Sequence, residues 1–100
     1  MLVVDDLNLP FGRIRVRERG SGGGHHGLES ILTILNTEEI VRVRVGIGEE
    51  QMPKDKTNFV LSDFPPEKQS ELETMISKAG NAVKSILSDG VAKTMAIFNA

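Results

Sequence analysis

Over residues 12–18 the chain alternates without exception, Ile14 and Val16 against Arg13, Arg15 and Arg17. A period of two belongs to a β-strand, whose successive side chains point to opposite faces. One face of this strand must meet an apolar layer, and the other must carry cations. The pattern returns in Val41, Val43, Val45 and Ile47, with Arg42 and Arg44 between them. Two such strands commit the chain to a sheet packed on one side. Gly46 and Gly48 interrupt the second strand, and glycine inside a strand signals a close approach of another backbone.

The other segments fit around that sheet. Leu2-Val3-Val4 reads as the end of a buried strand, apolar on both faces as in a covered sheet, running through Asp5-Asp6 to a stop at Pro10. Residues 20–24, Gly-Ser-Gly-Gly-Gly, can only be a loop. Leu28, Ile31, Leu32 and Leu35 have helical spacing, with an end near Asn36. Residues 49–57 read as a polar loop and 58–62 as one more short strand. Ser62 or Asp63 can cap a long helix that takes Pro65-Pro66 in its first turn. Its apolar stripe is Leu72, Met75, Ile76, Ala79, Val83, Ile86 and Leu87, and Gly90 is its stop. Val91, Met95 and Phe98 make a last short helical face. The order strand, strand, helix, strand, strand, helix, helix predicts an α/β fold, a mixed sheet with flanking helices. A buried strand at residue 2 calls for neighbours on both sides and helices on both faces. The chain supplies too few of these, so the expectation is a truncated three-layer fold.

Composition narrows the function classes. There is no cysteine, which excludes disulfides and cysteine-based zinc sites. No apolar run is long enough to span a membrane, and only three apolar residues separate Met1 from Asp5, so no membrane partner and no secretory leader are expected. Net charge is −2, so any contact with nucleic acid must come from a local cluster. Arg13, Arg15, Arg17 and Arg19 form one such group, and Arg42 and Arg44 a second. The acidic residues lie elsewhere, in Glu38-Glu39, Glu49-Glu50 and from Glu67 to Glu73.

Several candidate sites can be weighed on the residues alone. Residues 22–27 fit G-x-G-x-x-G between a strand and a helix, as a dinucleotide site would. The preceding strand alternates arginine with apolar residues, however, where a nucleotide-binding first strand is buried on both faces. Asp5 and Asp6 sit at the C-terminal end of a strand, where α/β folds place functional groups. As neighbours they point to opposite sides; one of them can orient a histidine, or both can cap a loop. His25 and His26 open the predicted helix, as substrate-binding groups or as exposed polar residues. No spacing here matches a zinc site. The arginine stripe is either a solvated face or one compensated by a polyanion, since three like charges on one short strand repel each other.

Taken together these pieces resemble bacterial-type peptidyl-tRNA hydrolases. Asp5-Asp6-Leu7-Asn8-Leu9-Pro10-Phe11-Gly12 is similar to the family's D-D-L-D-L-P-x-G segment. Gly12-Arg13-Ile14-Arg15-Val16-Arg17 resembles the G-x-I-R-L-R strand that follows it. Gly20-Ser21 with Gly23-Gly24-His25-His26-Gly27-Leu28 resembles G-S-x-G-G-H-N-G-L. Arg42-Val43-Arg44-Val45-Gly46-Ile47-Gly48 resembles R-L-R-I-G-I-G. Phe59-Val60-Leu61 and residues 95–99 resemble the later Y-V-L and M-N-R-F-N stretches.

The resemblance implies a cytoplasmic, monomeric α/β hydrolase without metal or cofactor, which cleaves the ester between a peptide and the tRNA 3′ end. In the family a histidine activates water and an aspartate, matching Asp5, orients it. The resemblance places substrate-binding residues at Gly24, His25 and His26, and puts the basic residues that clamp the tRNA phosphate at Arg17 and Arg44. His26 departs from the family's asparagine; an imidazole cannot both donate and accept as an amide does. The family's opening strand, N-P-G turn and T-R-H-N segment with the catalytic histidine have no match here. Residues 1–100 are accordingly expected to be the C-terminal portion of a single peptidyl-tRNA hydrolase domain, active only when complemented. Two other readings stand beside this one: a non-catalytic RNA-binding module that keeps the arginine stripe, and a fragment that self-associates through its strand edges.

Overall fold

In the computed structural model, which describes residues 1–48 and 66–99, the first element is strand β1 (Leu2–Pro10). A turn at Phe11 and Gly12 leads into strand β2 (Ile14–Arg17). The glycine segment then runs to helix α1 (His26–Leu35), and strand β3 (Arg42–Gly48) follows. A 3₁₀ turn (Pro66–Lys68) precedes the long helix α2 (Gln69–Asp89) and the short helix α3 (Val91–Phe98). The predicted loop at 49–57, the strand at 58–62 and the caps Ser62 and Asp63 lie outside the described residues.

The sheet is mixed, in the order β1-β3-β2, with β1 parallel and β2 antiparallel to β3. Register decides what each face carries. Ile14 pairs with Val45 and Val16 with Val43, while Arg15 pairs with Arg44 and Arg17 with Arg42. One face is therefore apolar, and the other holds four arginines in two cross-strand pairs. Helices α2 and α3 cover the apolar face. Ile14, Val16, Val43 and Ala82 form its buried centre, with Val45, Ala79, Val83, Ile86, Val91, Met95 and Phe98 packed around them.

Three sequence expectations change in detail. Leu2-Val3-Val4 is not buried on both faces: among the described residues β1 is an edge strand, and Val3 is 55% exposed. Alternation shows which residues share a face, but it does not show whether a helix covers that face. Pro66 stands in the 3₁₀ turn, and the α-helix proper begins only at Gln69, after Lys68, which makes no side-chain cap. The stripe on α2 is also only partly buried. Met75 and Ala82 are enclosed, whereas Ile76 and Leu87 are exposed. At about 100° per residue those two sit roughly 120–140° round the helix from Ala82, on the far side of the stripe.

The glycines of β3 answer to close backbone approach, as expected. A Cβ at position 46 would overlap the Pro10 carbonyl oxygen, and one at 48 the Leu7 carbonyl oxygen. The outer edge of β2 is closed by Asn99. Its Oδ1 accepts the Val16 N–H at 2.7 Å, and its Nδ2 donates to the Val16 carbonyl at 2.8 Å. One amide thus imitates a neighbouring strand and ties the C-terminal end of α3 to the sheet.

Candidate functional site at the glycine loop

The glycine segment lies across the arginine face, where two guanidinium groups hold it. Arg42 is 1% exposed. Its Nη1 donates to the carbonyls of Gly20 and Ser21, its Nη2 to those of Glu38 and Ile40, and its Nε to Ile40. Burial and the neighbouring Arg44 pull its pKa below the usual guanidinium range, with Glu38 opposing them. Its protonation is not at stake, because arginine stays charged in proteins. Arg44 is fixed differently: Nη2 donates to the Gly22 carbonyl at 2.7 Å, and Nη1 faces Asp6 Oδ2 at 3.4 Å. The buried Nε of Arg44 has no hydrogen-bond partner.

The two aspartates go separate ways, as alternation requires. Asp6 is buried, accepts the Asn8 N–H on Oδ1 and meets Arg44 on Oδ2. Asp5 is exposed and lies 3.4 Å from Nε2 of His25. His25 is the N-cap of α1, a place usually taken by Ser, Thr, Asp or Asn. Its Nδ1 accepts the Leu28 N–H at 3.0 Å. That bond fixes the neutral tautomer, because Nδ1 must keep its lone pair and Nε2 must then carry the proton. Nε2–H therefore donates to Asp5 Oδ1. His25 stands as a donor whose one lone pair is already engaged.

The loop is organised around this cap. His25 N–H donates to the Gly22 carbonyl at 3.0 Å. Gly23 and Gly24 have positive φ of 58° and 85°, and Gly24 donates its N–H to Glu29 Oε1 at 3.0 Å. His26 shares the outer face of α1 with Glu29, Ser30, Thr33 and Ile34. The structure thus brings Asp5, Gly24 and His25 into one strand-loop-helix junction and leaves His26 on the outward side. Arg17 donates one Nη1 bond to the Val16 carbonyl, and the Arg15 side chain has no hydrogen bond or ion pair among the described residues.

Two participants were not legible in the sequence. Nothing in the pattern connects Arg42 to carbonyls about twenty residues upstream. Glu29 carried a weak signal, since an acidic residue in the first turn of a helix suits orphan N–H groups, but its partner here lies outside the helix.

A family profile described as peptidyl-tRNA hydrolase matches residues 1–100. The chain belongs to the peptidyl-tRNA hydrolase family. It is 40% identical over 100 residues to the peptidyl-tRNA hydrolase of Gloeobacter violaceus, covering all of this chain and 50% of that protein. It is 42% identical over 99 residues to that of Thermotoga maritima, covering 53% of it. The crystal structure of peptidyl-tRNA hydrolase from Acinetobacter baumannii superposes with a TM-score of 0.76 at 28% identity, over 99% of this chain and 50% of that one. The chain thus spans about half the length of the curated relatives it matches, and the truncated α/β fold expected from sequence agrees with these structural neighbours. Among the described residues no helix is long and apolar enough to cross a membrane, and no three His, Asp or Glu side chains gather to hold a metal.

Proposed function

We propose that residues 1–100 form one wall of a peptidyl-tRNA hydrolase site, acting on the ester between a peptide and the 3′ end of tRNA. What carries this reading is the Asp5–His25 contact at the mouth of the glycine loop, in a chain that matches the family from end to end. In the reaction water adds to the ester carbonyl and the bond to the ribose oxygen breaks. The peptide leaves as a carboxylate, and the ribose oxygen takes a proton. The step needs a base for the water. His25 is not that base, because its lone pair caps α1. His26 lies on the outer face of α1 beside Glu29 and Ser30, so this reading assigns the base to a group outside residues 1–100 and gives Asp5 the supporting role. Asp5 Oδ1 is occupied by His25, and its Oδ2 is left to orient a second imidazole. His25 and Gly24 line the peptide side of the pocket, with His26 at its margin on the outer face of α1.

The tRNA phosphate falls on the arginine face. The family clamp maps to Arg17 and Arg44, and the geometry favours Arg17 together with Arg15. Arg44 is already committed to Asp6 and Gly22, whereas Arg15 and Arg17 face no carboxylate among the described residues. An enzyme with this substrate works where translation does, in the cytoplasm.

The test is hydrolysis of an N-blocked aminoacyl-tRNA by the chain alone and after mixing with the other half of a relative. Activity only on mixing is expected, and Asp5→Asn should lower it by about a hundredfold or more. Full activity of the chain alone would overturn the division of labour. The second reading, a non-catalytic RNA-binding module, rests on the same uncompensated arginines. It gains if tRNA binds in a salt-sensitive way while the associated halves stay silent.

A further inference from the structure

We infer that Arg42, although it belongs to the cationic face, is a positioning residue that sets where His25 stands against Asp5 by stapling the two ends of the glycine loop–α1 excursion together. The inference takes its catalytic meaning from the proposed site, but its geometry does not depend on that reading. The guanidinium has five N–H donors, and all five are used on four backbone carbonyls. Gly20 and Ser21 lie where the chain leaves β2, and Glu38 and Ile40 lie where it returns to β3. Everything between, including the His25 cap, is an excursion closed by this one side chain. The Gly20 N–H reinforces the closure by donating to Glu38 O at 3.0 Å.

The path from Arg42 to the proposed site is short and continuous. Arg42 fixes the carbonyls of Gly20 and Ser21, and the next residue, Gly22, is held by Arg44. Gly22 in turn accepts the His25 N–H, and His25 reaches Asp5 through Nε2. A guanidinium at 1% exposure with no spare donor has nothing left to offer a phosphate. Its charge supplies strength to bonds that neutral donors would make more weakly. Lysine keeps the charge but gathers three donors on one atom, and cannot span carbonyls on both sides of a planar fork.

The experiment is nitrogen-detected magnetic resonance on the full chain, at alkaline pH where imidazole is neutral. In the unaltered protein the Arg42 Nη nitrogens should give separate, slowly exchanging signals, and His25 the signature of a protonated Nε2 with a bare Nδ1. As mild denaturant is added, the Arg42 Nη–H and Leu28 N–H protons should become exchangeable in one opening event. In Arg42→Lys the His25 nitrogens should move toward averaged tautomers. The Leu28 amide should exchange about tenfold faster, the loss of one charge-assisted bond, while the amides of α2 keep their protection. Rapidly rotating Arg42 nitrogens, or Arg42 and Leu28 protons that open separately, would overturn the inference even if the lysine variant does not fold. A folded Arg42→Lys chain with unchanged His25 signals would also overturn it. Loss of hydrolysis in the complemented enzyme would not bear on it, because the readout is the imidazole itself.

Discussion

The Pro10 carbonyl oxygen occupies the space that a Cβ at position 46 would need, and the Leu9 carbonyl oxygen lies 2.8 Å from the same point. Neither oxygen belongs to a flexible side chain, so the backbone of β1 or β3 would have to move. Gly46→Ala should therefore destabilise the fold by about 2–3 kcal/mol, an overpacking cost, read as a lower midpoint of urea denaturation. Gly80 makes the opposite case. It sits in the middle of α2 with open space around its missing side chain. Gly80→Ala should stabilise by roughly 0.5–1 kcal/mol, because alanine removes the entropy that glycine loses in a helix. A midpoint that falls for both, or rises for both, would show that the fold does not distinguish the two sites as this geometry requires.

At the scale of elements, the alternation of β2 and β3 was legible because arginine and apolar residues take turns along both strands, and period two assigns every side chain to a face. Gly46, Gly48 and Gly90 could be read for what they do, since only backbone crowding or a helix end explains glycine at those places. The edge position of β1 was not legible: apolar side chains mark a strand, while neighbours and covering helices come from distant sequence. The candidate site was legible as residue types, but not as contacts. His25 as an N-cap, Arg42 as a staple and Arg44 as the partner of Asp6 all depend on where the loop folds back. Asn99 is another such long-range device. Asn99→Asp keeps the shape and the acceptor but loses the donor to the Val16 carbonyl. It should cost about 1 kcal/mol, the net worth of one hydrogen bond, because Arg17 Nη1 still donates to the Val16 carbonyl, and the Val16 amide should keep its slow exchange. An Asn99→Asp chain as stable as the parent would mean that Arg17 and water satisfy that edge equally well.

For the whole molecule, a net charge of −2 gives no overall attraction to a polyanion. Any affinity for tRNA must therefore come from how charge is distributed on the sheet. The arginine face divides into committed and uncommitted cations. Arg42 is saturated by carbonyls, Arg44 is partly neutralised by Asp6, and Arg15 and Arg17 face no carboxylate among the described residues. Salt dependence counts phosphate contacts, at a slope of about 0.7 per contact for single strands and 0.9 for duplex. Arg15→Ala and Arg17→Ala should each flatten the plot of log affinity against log salt by about that much. Arg42→Lys should leave the slope unchanged, since that cation is not available to phosphate. Asp6→Asn should act in the other direction, because it removes the carboxylate that competes for Arg44 and leaves the guanidinium charge uncompensated. Its slope should steepen by up to about one contact, with tighter binding at low salt. The measurement is equilibrium binding of deacylated tRNA across a salt series for the parent and these four variants. Parallel lines for the parent, Arg17→Ala and Asp6→Asn would place the RNA somewhere other than this face, and the arginine stripe would then be only a solvated surface.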